Sequence, residues 1–373
     1  MAFPPVNEPI NKLRGYKPLV YLGDKIILAR LNEVYVADLR LEQIRHVCTV
    51  GKLSGIPCYL SRFRLMQRLL RLEMGPATPL EEDGCFLVFY RNKVFHVDIE
   101  RRVAKPEVVP ALTKKPLQML LIQSGVHKGS VLLGDYQLNA EYGPVNIYRR
   151  DRTGVWNVSF VFPKGEINHV HGILEDARSE CFYILTGDFG KGACIWKADT
   201  SLKDVRPLVR SGQMSRACWL MPWNGKLIFA TDQQANFNYL CTIEVGESVR
   251  VNRQFPIAGS SIYFSNTHSD PIVFSTAVEP KSTNGVTPGS LMSTRRAAGI
   301  LSDEACVYVG TPALGFEILF SGKKDGLPFG LFQFGNINFP SGTSSDQSYV
   351  HFYCSALTGH DGTTYVMKLK PND

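Results

Sequence analysis

Short runs of apolar, β-branched and aromatic residues, each bounded by Gly, Asp, Asn or Pro, recur along most of the chain. Such runs are typical of β-strands separated by tight turns. One clear set of four, LQMLLIQ, SVLLGDY, VNIYRRD and WNVSFVFP, lies within residues 117–163, and two similar sets lie within 169–212 and 216–256. Helical periodicity is nearly absent, and the one candidate helix, SRFRLMQRLLRLEMG at 61–75, alternates well enough to be predicted as a strand instead.

The spacing between corresponding strands indicates the architecture. The first strand of each successive set is expected near Arg62, Pro116, His169, Arg216, Ser260 and Leu331. Most of these positions are roughly 45–55 residues apart, and four strands per unit at this period are typical of β-propeller blades. An immunoglobulin-like sandwich runs out of strands after about 100 residues. The sequence therefore predicts an all-β protein, a β-propeller of four-stranded blades.

The number of blades depends on the two ends of the chain. The N-terminal runs KPLVYLG, KIILARL, EVYVADL and IRHVCTVG add a unit and bring the count to seven, with six as the alternative because the repeats are degenerate. The last unit, FQFGNINFP, VHFYCSAL and TTYVMKL, has only three strands. An N-terminal strand would complete it and close the ring, removing exposed strand edges. We therefore expect a single domain over residues 1–373.

One segment interrupts the strand pattern. Residues 280–298, PKSTNGVTPGSLMSTRRAA, are rich in Pro, Gly, Ser and Thr and fall within the sixth unit. Long loops inside compact domains are usually functional or disordered. We expect a flexible loop insertion that forms a flap over one face of the propeller.

Composition and charge limit the classes of partner molecule that we expect this protein to bind. Hydrophobic residues make up 44% of the chain and charged residues 20%, as in ordinary soluble proteins. The formal net charge is +7, but the basic residues are spread along the chain. Nucleic-acid-binding proteins usually concentrate them in a stripe or tail, so no nucleic-acid partner is expected. An anionic glycan fits the mild positive charge, and a solvated basic surface is the alternative.

Cysteine usage and the absence of export signals indicate the compartment. The nine cysteines form no CxxC pair, and an odd, scattered set in apolar runs argues for free thiols. The N-terminus has no cationic start followed by an apolar run, and no run of eighteen apolar residues exists. We expect a cytoplasmic protein with no signal peptide and no membrane span.

The segment IYRRDRTGVW at 147–156 resembles an Asp-box, the turn found in the BNR repeats of sialidase-like propellers. Asp151, Gly154 and Trp156 match the pattern approximately. The resemblance implies that the aspartate bonds to loop amides between the third and fourth strands of a blade, and that the tryptophan packs between blades. WKADTSLKDVRPL at 196–208 is a weaker match that keeps Asp199 but has no tryptophan after it.

A longer resemblance covers residues 130–280. GDYQLNAEYGPVNIYRRD, INHVHGILED, TGD, SRACWL, ATDQQANFN and FSTAVEP occur there in order. They are similar to motifs of uncharacterised sialidase-like propellers encoded among bacterial polysaccharide genes, except that Asp135 replaces Glu and Gln233 replaces Ser. The resemblance implies a connection with glycans. The F/Y-R-I-P motif of true sialidases is absent from the chain.

The motif His169-Val170-His171-Gly172 carries the sharpest chemical signal. On a strand, alternation places both imidazoles on one face, and an innermost strand would direct them toward the central channel. Two such histidines could serve as general acid and base near neutral pH. They could also bind a metal with a third ligand such as Asp188, or form a hydrogen-bonded structural pair. We predict no cofactor, with a metal at this pair as the alternative.

Further polar residues are expected at the same level, where apolar strands end. These residues are Asp135, Tyr136, Asp188, Arg216, Asp232 and Glu279. We assign Tyr136, Asp188 and Asp232, with the histidine pair, as candidate catalytic residues. The remaining three, Asp135, Arg216 and Glu279, are candidate substrate-binding residues. For the aspartates, turn formation is the competing role.

These residues suggest two functions. The first is a carbohydrate-active enzyme that cleaves an anionic polysaccharide or its precursor. It would be a glycoside hydrolase with paired carboxylates or a polysaccharide lyase with a His or Tyr base. The second is a non-catalytic scaffold that binds a glycan or a protein. The enzyme hypothesis requires His169, His171, Asp188, Arg216 and Asp232 to converge at one end of the axis. Fold alone cannot choose, since propellers host both classes.

Overall fold

The computed structural model describes residues 8–110, 112, 115–137, 139–187, 190–266, 271–281 and 288–369. Its strands form seven four-stranded antiparallel sheets. The first strand is β1 (Asn11–Arg14). Blade 1 contains β2 (Lys17–Leu22), β3 (Lys25–Arg30), β4 (Glu33–Asp38) and β5 (Ile44–Thr49). Blade 2 contains β6 (Ala77–Pro79), β7 (Cys85–Tyr90), β8 (Lys93–Asp98) and β9 (Val103–Glu107). Blade 3 contains β10 (Met119–Leu121), β11 (Val131–Gly134), β12 (Val145–Arg150) and β13 (Trp156–Phe162).

The remaining blades repeat this pattern. Blade 4 contains β14 (His169–Asp176), β15 (Cys181–Gly187), β16 (Cys194–Asp199) and β17 (Val205–Val209). Blade 5 contains β18 (Ala217–Trp223), β19 (Lys226–Thr231), β20 (Asn238–Val245) and β21 (Val249–Ile257). Blade 6 contains β22 (Phe264–Ser265), β23 (Ile272–Ser275), β24 (Glu304–Thr311) and β25 (Gly315–Lys323). Blade 7 contains β26 (Asn336–Asn338), β27 (Tyr349–Ser355) and β28 (Thr363–Lys368), with β1 as its outer strand. The all-β, seven-bladed prediction is confirmed.

The helices are short. They are α1 (Ile56–Leu60), α2 (Arg64–Leu69), α3 (Pro288–Leu291) and α4 (Phe329–Phe332). Of these, α1, α2 and α4 lie in connections between blades, and α3 lies within blade 6, between β23 and β24. Two 3-10 turns occupy Gly190–Gly192 and Gly212–Ser215. No helix among these described segments is long and apolar enough to cross a membrane.

The N-terminal strand closes the ring, as the sequence predicts. β1 pairs antiparallel with β28, from Asn11 opposite Val366 to Arg14 opposite Thr363. The first and last blades are also joined by a parallel bridge between Val20 and Ser341. The pairing of β1 covers the edge of β28, which would otherwise present unpaired backbone groups to solvent.

The core lies mainly between neighbouring blades. Second strands such as β7, β15 and β19 are almost wholly buried and mostly apolar, because both of their faces are covered, one by each neighbouring blade. One cluster joins blade 3 to blade 4 through Ile147, Phe162 and Trp196. The fourth strands are far more exposed, which is expected at the rim of the ring.

Antiparallel pairing brings particular chain segments to the same end of the axis. The start of each inner strand faces the end of the second strand, as His169 faces Gly187 and Ala217 faces Thr231. We call this end of the ring the top face. Residues just before an inner strand and just after a second strand therefore meet there, although about twenty residues separate them along the chain.

The strand prediction for residues 61–75 is wrong. This segment contributes α2, and the inner strand of blade 2 begins at Ala77 instead of near Arg62. The alternation of apolar and polar residues in this segment reflects how α2 packs, and not a strand. Arg68 is directed inward, where it bonds to the Phe332 carbonyl and to Asp325. Phe63, at the start of the same helix, is exposed to solvent.

The predicted insertion at 280–298 lies only partly within the described residues, since 282–287 fall outside them. The described part contains α3 and a bridge between Pro280 and Arg296. The Phe329 amide donates to the Ser293 carbonyl, which ties this segment to the connection that precedes blade 7. Inner strands β22 and β26 begin a few residues after the predicted Ser260 and Leu331.

A polar turn joins the third and fourth strands of blade 3. Oδ1 of Asp151 accepts hydrogen bonds from the Thr153 amide at 2.9 Å and the Val155 amide at 3.0 Å. Gly154 has a φ of +91°, a conformation that favours glycine. Trp156 packs between blades 2 and 3. Asp199 bonds in the same way to the Lys203 amide in blade 4.

Candidate functional site

The two histidines of the HVHG motif meet at the top face of blade 4. β14 has a bulge between Val170 and Gly172, and His171 is the extra residue inserted in the register with β15. The bulge re-aims the His171 ring without moving it to the other face. The ring centroids of His169 and His171 are 4.9 Å apart, and both side chains are buried.

Three glycines make room for this arrangement. A Cβ at Gly187 would overlap the His171 ring, and one at Gly134 would overlap Val170. A Cβ at Gly172 would lie 2.9 Å from the Gln118 side-chain oxygen. The glycines of the HVHG and TGD motifs therefore have a steric role, because each allows a neighbouring segment to approach the histidine strand closely.

Backbone carbonyls determine which nitrogen of each imidazole carries its proton. Nδ1 of His169 lies 2.9 Å from the Gln137 carbonyl, and Nδ1 of His171 lies 2.9 Å from the Ala217 carbonyl. A carbonyl only accepts hydrogen bonds, so each Nδ1 carries a proton. In the neutral rings both Nε2 atoms then have a lone pair, and these atoms face each other at 3.0 Å. The contact is attractive only when a proton or a metal ion lies between them.

Blade 5 contributes a buried ion pair beside the histidines. Nε of Arg216 donates to Oδ2 of Asp232 at 3.1 Å, and both side chains are almost fully buried. Cys218 links this pair to the histidines, because its sulfur lies 3.5 Å from both Asp232 Oδ2 and His171 Nδ1. Burial raises the pKa of the Cys218 thiol well above its ordinary value, and the Asp232 charge raises it further. Cys218 is therefore a neutral thiol here.

Tyr136 and Glu279 border the same cluster. The Tyr136 ring lies 4.6 Å from the His169 ring and 6.0 Å from the His171 ring, and its side chain is only partly buried. Glu279 is buried beyond the end of β23 and accepts a hydrogen bond from the Ser260 hydroxyl. Blades 3, 4, 5 and 6 thus contribute polar side chains to one end of the axis.

One of the sequence-predicted site residues, Asp135, bonds within its own blade instead of joining the cluster. The Asp135 carboxylate turns into blade 3, where it accepts hydrogen bonds from the Asn146 amide at 3.0 Å and the Tyr148 hydroxyl at 3.4 Å. Burial raises its pKa. Its backbone carbonyl accepts a hydrogen bond from the Val170 amide and so holds blade 3 against blade 4. Asp188 lies outside the described residues, and its assignment stays a prediction.

Sequence reasoning missed Cys218, and it interpreted Tyr263 as a core aromatic side chain. Cys218 follows Arg216 by two residues, so strand alternation would have placed them on the same face. Tyr263 packs with Cys218 and Ala277 near the axis. It precedes an inner strand of only two residues, too short to show any periodicity.

Two sets of ligand atoms in this cluster can be compared as places for a metal ion. His171, Cys218 and Asp232 offer ligand atoms within 4.8 Å of one another. However, His171 Nδ1 already donates to a carbonyl, and the Arg216 cation already pairs with the Asp232 oxygen that faces the thiol. The two Nε2 atoms fit a metal better. Their 3.0 Å separation equals that of two cis ligands about 2.1 Å from an octahedral ion, and the carbonyl bonds to Nδ1 are typical of metal-binding histidines.

Comparisons with known proteins bear on the fold alone. No protein-family model matches the sequence, and no curated protein matches it. Similar solved structures are β-propellers. A chain of the mitotic checkpoint complex is 10% identical with a TM-score of 0.55, and the alignment covers 99% of this chain and 98% of that one. The AfRom2 CNH domain is 10% identical with a TM-score of 0.53, covering 97% and 96%.

Proposed function

We propose that this protein is a carbohydrate-active propeller that cleaves an anionic, uronate-containing glycan by elimination at its top face. The observation that carries the proposal is the convergence of the His169–His171 pair with Tyr136 from blade 3 and with Arg216 and Asp232 from blade 5. The sequence resemblance to sialidase-like propellers is what suggests a glycan ligand.

Elimination fits the described residues better than hydrolysis does. Hydrolysis by an inverting or retaining mechanism uses two carboxyl groups that flank the scissile bond. Asp232 is paired with Arg216, and Asp135 is bonded within blade 3. Elimination instead requires a base, an acid and a cation beside the substrate carboxylate. In this site the imidazole pair can act as the base, Tyr136 as the acid, and Arg216 as the cation.

The proposed elimination moves one proton from the substrate to the imidazole pair and one from Tyr136 to the leaving group. The proton on C5 of the uronate passes to the imidazole pair, where one proton fits between the two Nε2 atoms. The electron pair of the C5–H bond becomes the C4=C5 double bond, and the C4–O bond breaks. Tyr136 gives its hydroxyl proton to the leaving oxygen, and the imidazole pair then returns a proton to Tyr136. Arg216, oriented by Asp232, stabilises the charge that develops on the carboxylate.

A panel of uronate-containing oligosaccharides tests the proposal. Unsaturated products are followed by ultraviolet absorbance and new reducing ends by a colorimetric assay. We expect both signals with the wild-type protein and neither with His169→Ala/His171→Ala. Tyr136→Phe should bind substrate but lose most of the turnover, whereas Tyr59→Phe, a control on the exposed surface, should behave as wild type. New reducing ends without unsaturated products would show hydrolysis and overturn the elimination mechanism.

A non-catalytic glycan-binding propeller is the second candidate, because both imidazoles are buried. In that case the panel gives binding without turnover, and Tyr136→Phe changes affinity only. The metal content of the purified protein, measured by mass spectrometry, decides what lies between the two Nε2 atoms. A metal that is stoichiometric in the wild type and lost in the double histidine variant would replace the shared proton in the proposed step.

A further inference from the structure

Helices α1 and α2 form a cap on the top face, between blades 1 and 2. In these helices an arginine is buried and large apolar side chains are exposed, which is the reverse of the usual distribution in soluble proteins. Arg68 is only 3% exposed, while Ile56 and Phe63 are 75% and 56% exposed. Soluble proteins normally place arginine outside and such apolar side chains inside. The cap therefore presents its apolar side to the surroundings.

Ion pairs hold the cap in this orientation. Arg68 donates to the Phe332 carbonyl and pairs with Asp325 at 2.5 Å. Arg64 makes two 3.0 Å hydrogen bonds to Asp361, one from Nε and one from a terminal nitrogen. These bonds tie α2 to blades 6 and 7, so the outward side of the cap is a defined surface.

The outward side combines large apolar side chains with positive charge. The exposed apolar residues are Ile56, Tyr59, Phe63, Leu65 and Leu70, and we call them the cap patch. Of the five Lys or Arg residues in 51–72, Arg64 and Arg68 are paired with carboxylates on the inward side, and the other three are exposed. Arg62 and Arg71 are exposed beside the patch, and the Arg62 guanidinium lies 5.4 Å from the centre of the Tyr59 ring.

We propose that the cap patch docks the propeller on an anionic lipid membrane surface. Protruding aliphatic and aromatic side chains flanked by cations are the features that bind the interface of a bilayer. The exposed cations Arg62 and Arg71 complement the negative potential of anionic lipids. This binding is peripheral, independent of the proposed glycan chemistry, and leaves the fold unchanged.

Vesicle binding tests this inference on the full chain. The probe is a vesicle of equal parts phosphatidylcholine and phosphatidylglycerol, compared with phosphatidylcholine alone. We expect the wild type to float with the anionic vesicles and Ile56→Asp/Phe63→Asp to lose at least about tenfold in partitioning. Leu314→Asp is the matched control, because Leu314 is also strongly exposed but lies at the β24–β25 turn.

A fluorescent label on Cys58 gives an independent measurement. Cys58 lies in α1 beside the patch and is exposed, whereas the other eight cysteines are buried. We expect an environment-sensitive dye at this thiol to shift to the blue with anionic vesicles and to stay unshifted without them.

Three outcomes would overturn the proposal. The first is no flotation with anionic vesicles. The second is equal loss of binding in Leu314→Asp and in the patch variant. The third is a concentration-dependent oligomer in sedimentation velocity that Ile56→Asp/Phe63→Asp abolishes, since the patch would then be an interface between copies of this chain. Arg62→Glu should weaken flotation while leaving the protein monomeric.

Discussion

The His171 imidazole lies so close to Gly187 that a Cβ atom at position 187 would be 2.2 Å from Cε1 of the ring. Gly187 ends β15, on the strand that pairs with the histidine strand, and its backbone faces His169. The end of β15 therefore packs directly against the His171 ring. Any side chain larger than glycine at position 187 would overlap that ring and disrupt the histidine pair.

Gly187→Ala should therefore displace His171 and destabilise the protein. Overpacking at a buried site costs about 1–3 kcal/mol, and the Nε2 contact would be lost with it. Urea unfolding measures the free energy of unfolding, and a crystal structure of the variant shows the ring position. Gly246→Ala is the control, because a Cβ there meets nothing within 4 Å. An unshifted His171 ring in Gly187→Ala would contradict this account.

The Arg216–Asp232 pair predicts strong coupling between two substitutions. Asp232→Leu removes the carboxylate that accepts from Arg216 and leaves a buried cation, and Arg216→Met leaves a buried anion. Each single change should lower the free energy of unfolding by about 3–5 kcal/mol. The double variant should lose less than the sum, since the interaction between the two side chains is removed by either single change and cannot be lost twice. Additive losses in a double-mutant cycle would show that the two side chains act separately.

A buried histidine between the last and first blades predicts that the stability of the protein depends on pH. His351 of blade 7 donates from Nε2 to the Leu39 carbonyl at 2.6 Å and accepts at Nδ1 from the Tyr21 hydroxyl at 2.9 Å. Burial lowers its pKa from 6.5 to about 4. The native state therefore holds neutral His351 where the unfolded chain binds a proton. Its contribution is complete above pH 6.5 and is lost as pH falls toward 4, by roughly 3 kcal/mol.

The pH dependence can be assigned to His351 by substitution. Urea unfolding between pH 7 and pH 4 should show a shallower loss of stability in His351→Gln than in the wild type. Tyr21→Phe is the control, because it removes one hydrogen bond to the ring but leaves the imidazole to titrate. The same slope in His351→Gln as in the wild type would assign the acid sensitivity to other groups.

The buried arginine of the cap predicts a local opening. Arg68→Ala removes the bonds to the Phe332 carbonyl and to Asp325, so α2 should loosen while the blades stay folded and Arg64 keeps its bonds to Asp361. We expect faster hydrogen exchange and tryptic cleavage at 56–69, with little change in the strands. Arg62→Ala, at an exposed position, is the control. Equal protection of the cap in both variants would contradict the role of Arg68.

Strand count, blade order and ring closure could all be predicted from the chain. Their signals are local, because an alternating apolar run followed by a turn repeats wherever a strand must be covered by neighbouring blades. The helical cap could not be predicted in this way. Arg64 and Arg68 occupy inward positions where the pattern leads one to expect apolar residues, and their partners, Asp361 and Asp325, lie more than 250 residues away.

The candidate site, like the fold, could be predicted from the sequence only in part. The sequence determined which residues stand at strand ends, and so it selected His169, His171, Arg216 and Asp232 by strand position alone. Only the tertiary structure decided that Cys218 joins them and that Asp135 turns into blade 3. It also decided the facing of the two Nε2 atoms, through the carbonyls of Gln137 and Ala217. The physical reason is that hydrogen bonds between blades depend on distances that no local periodicity encodes.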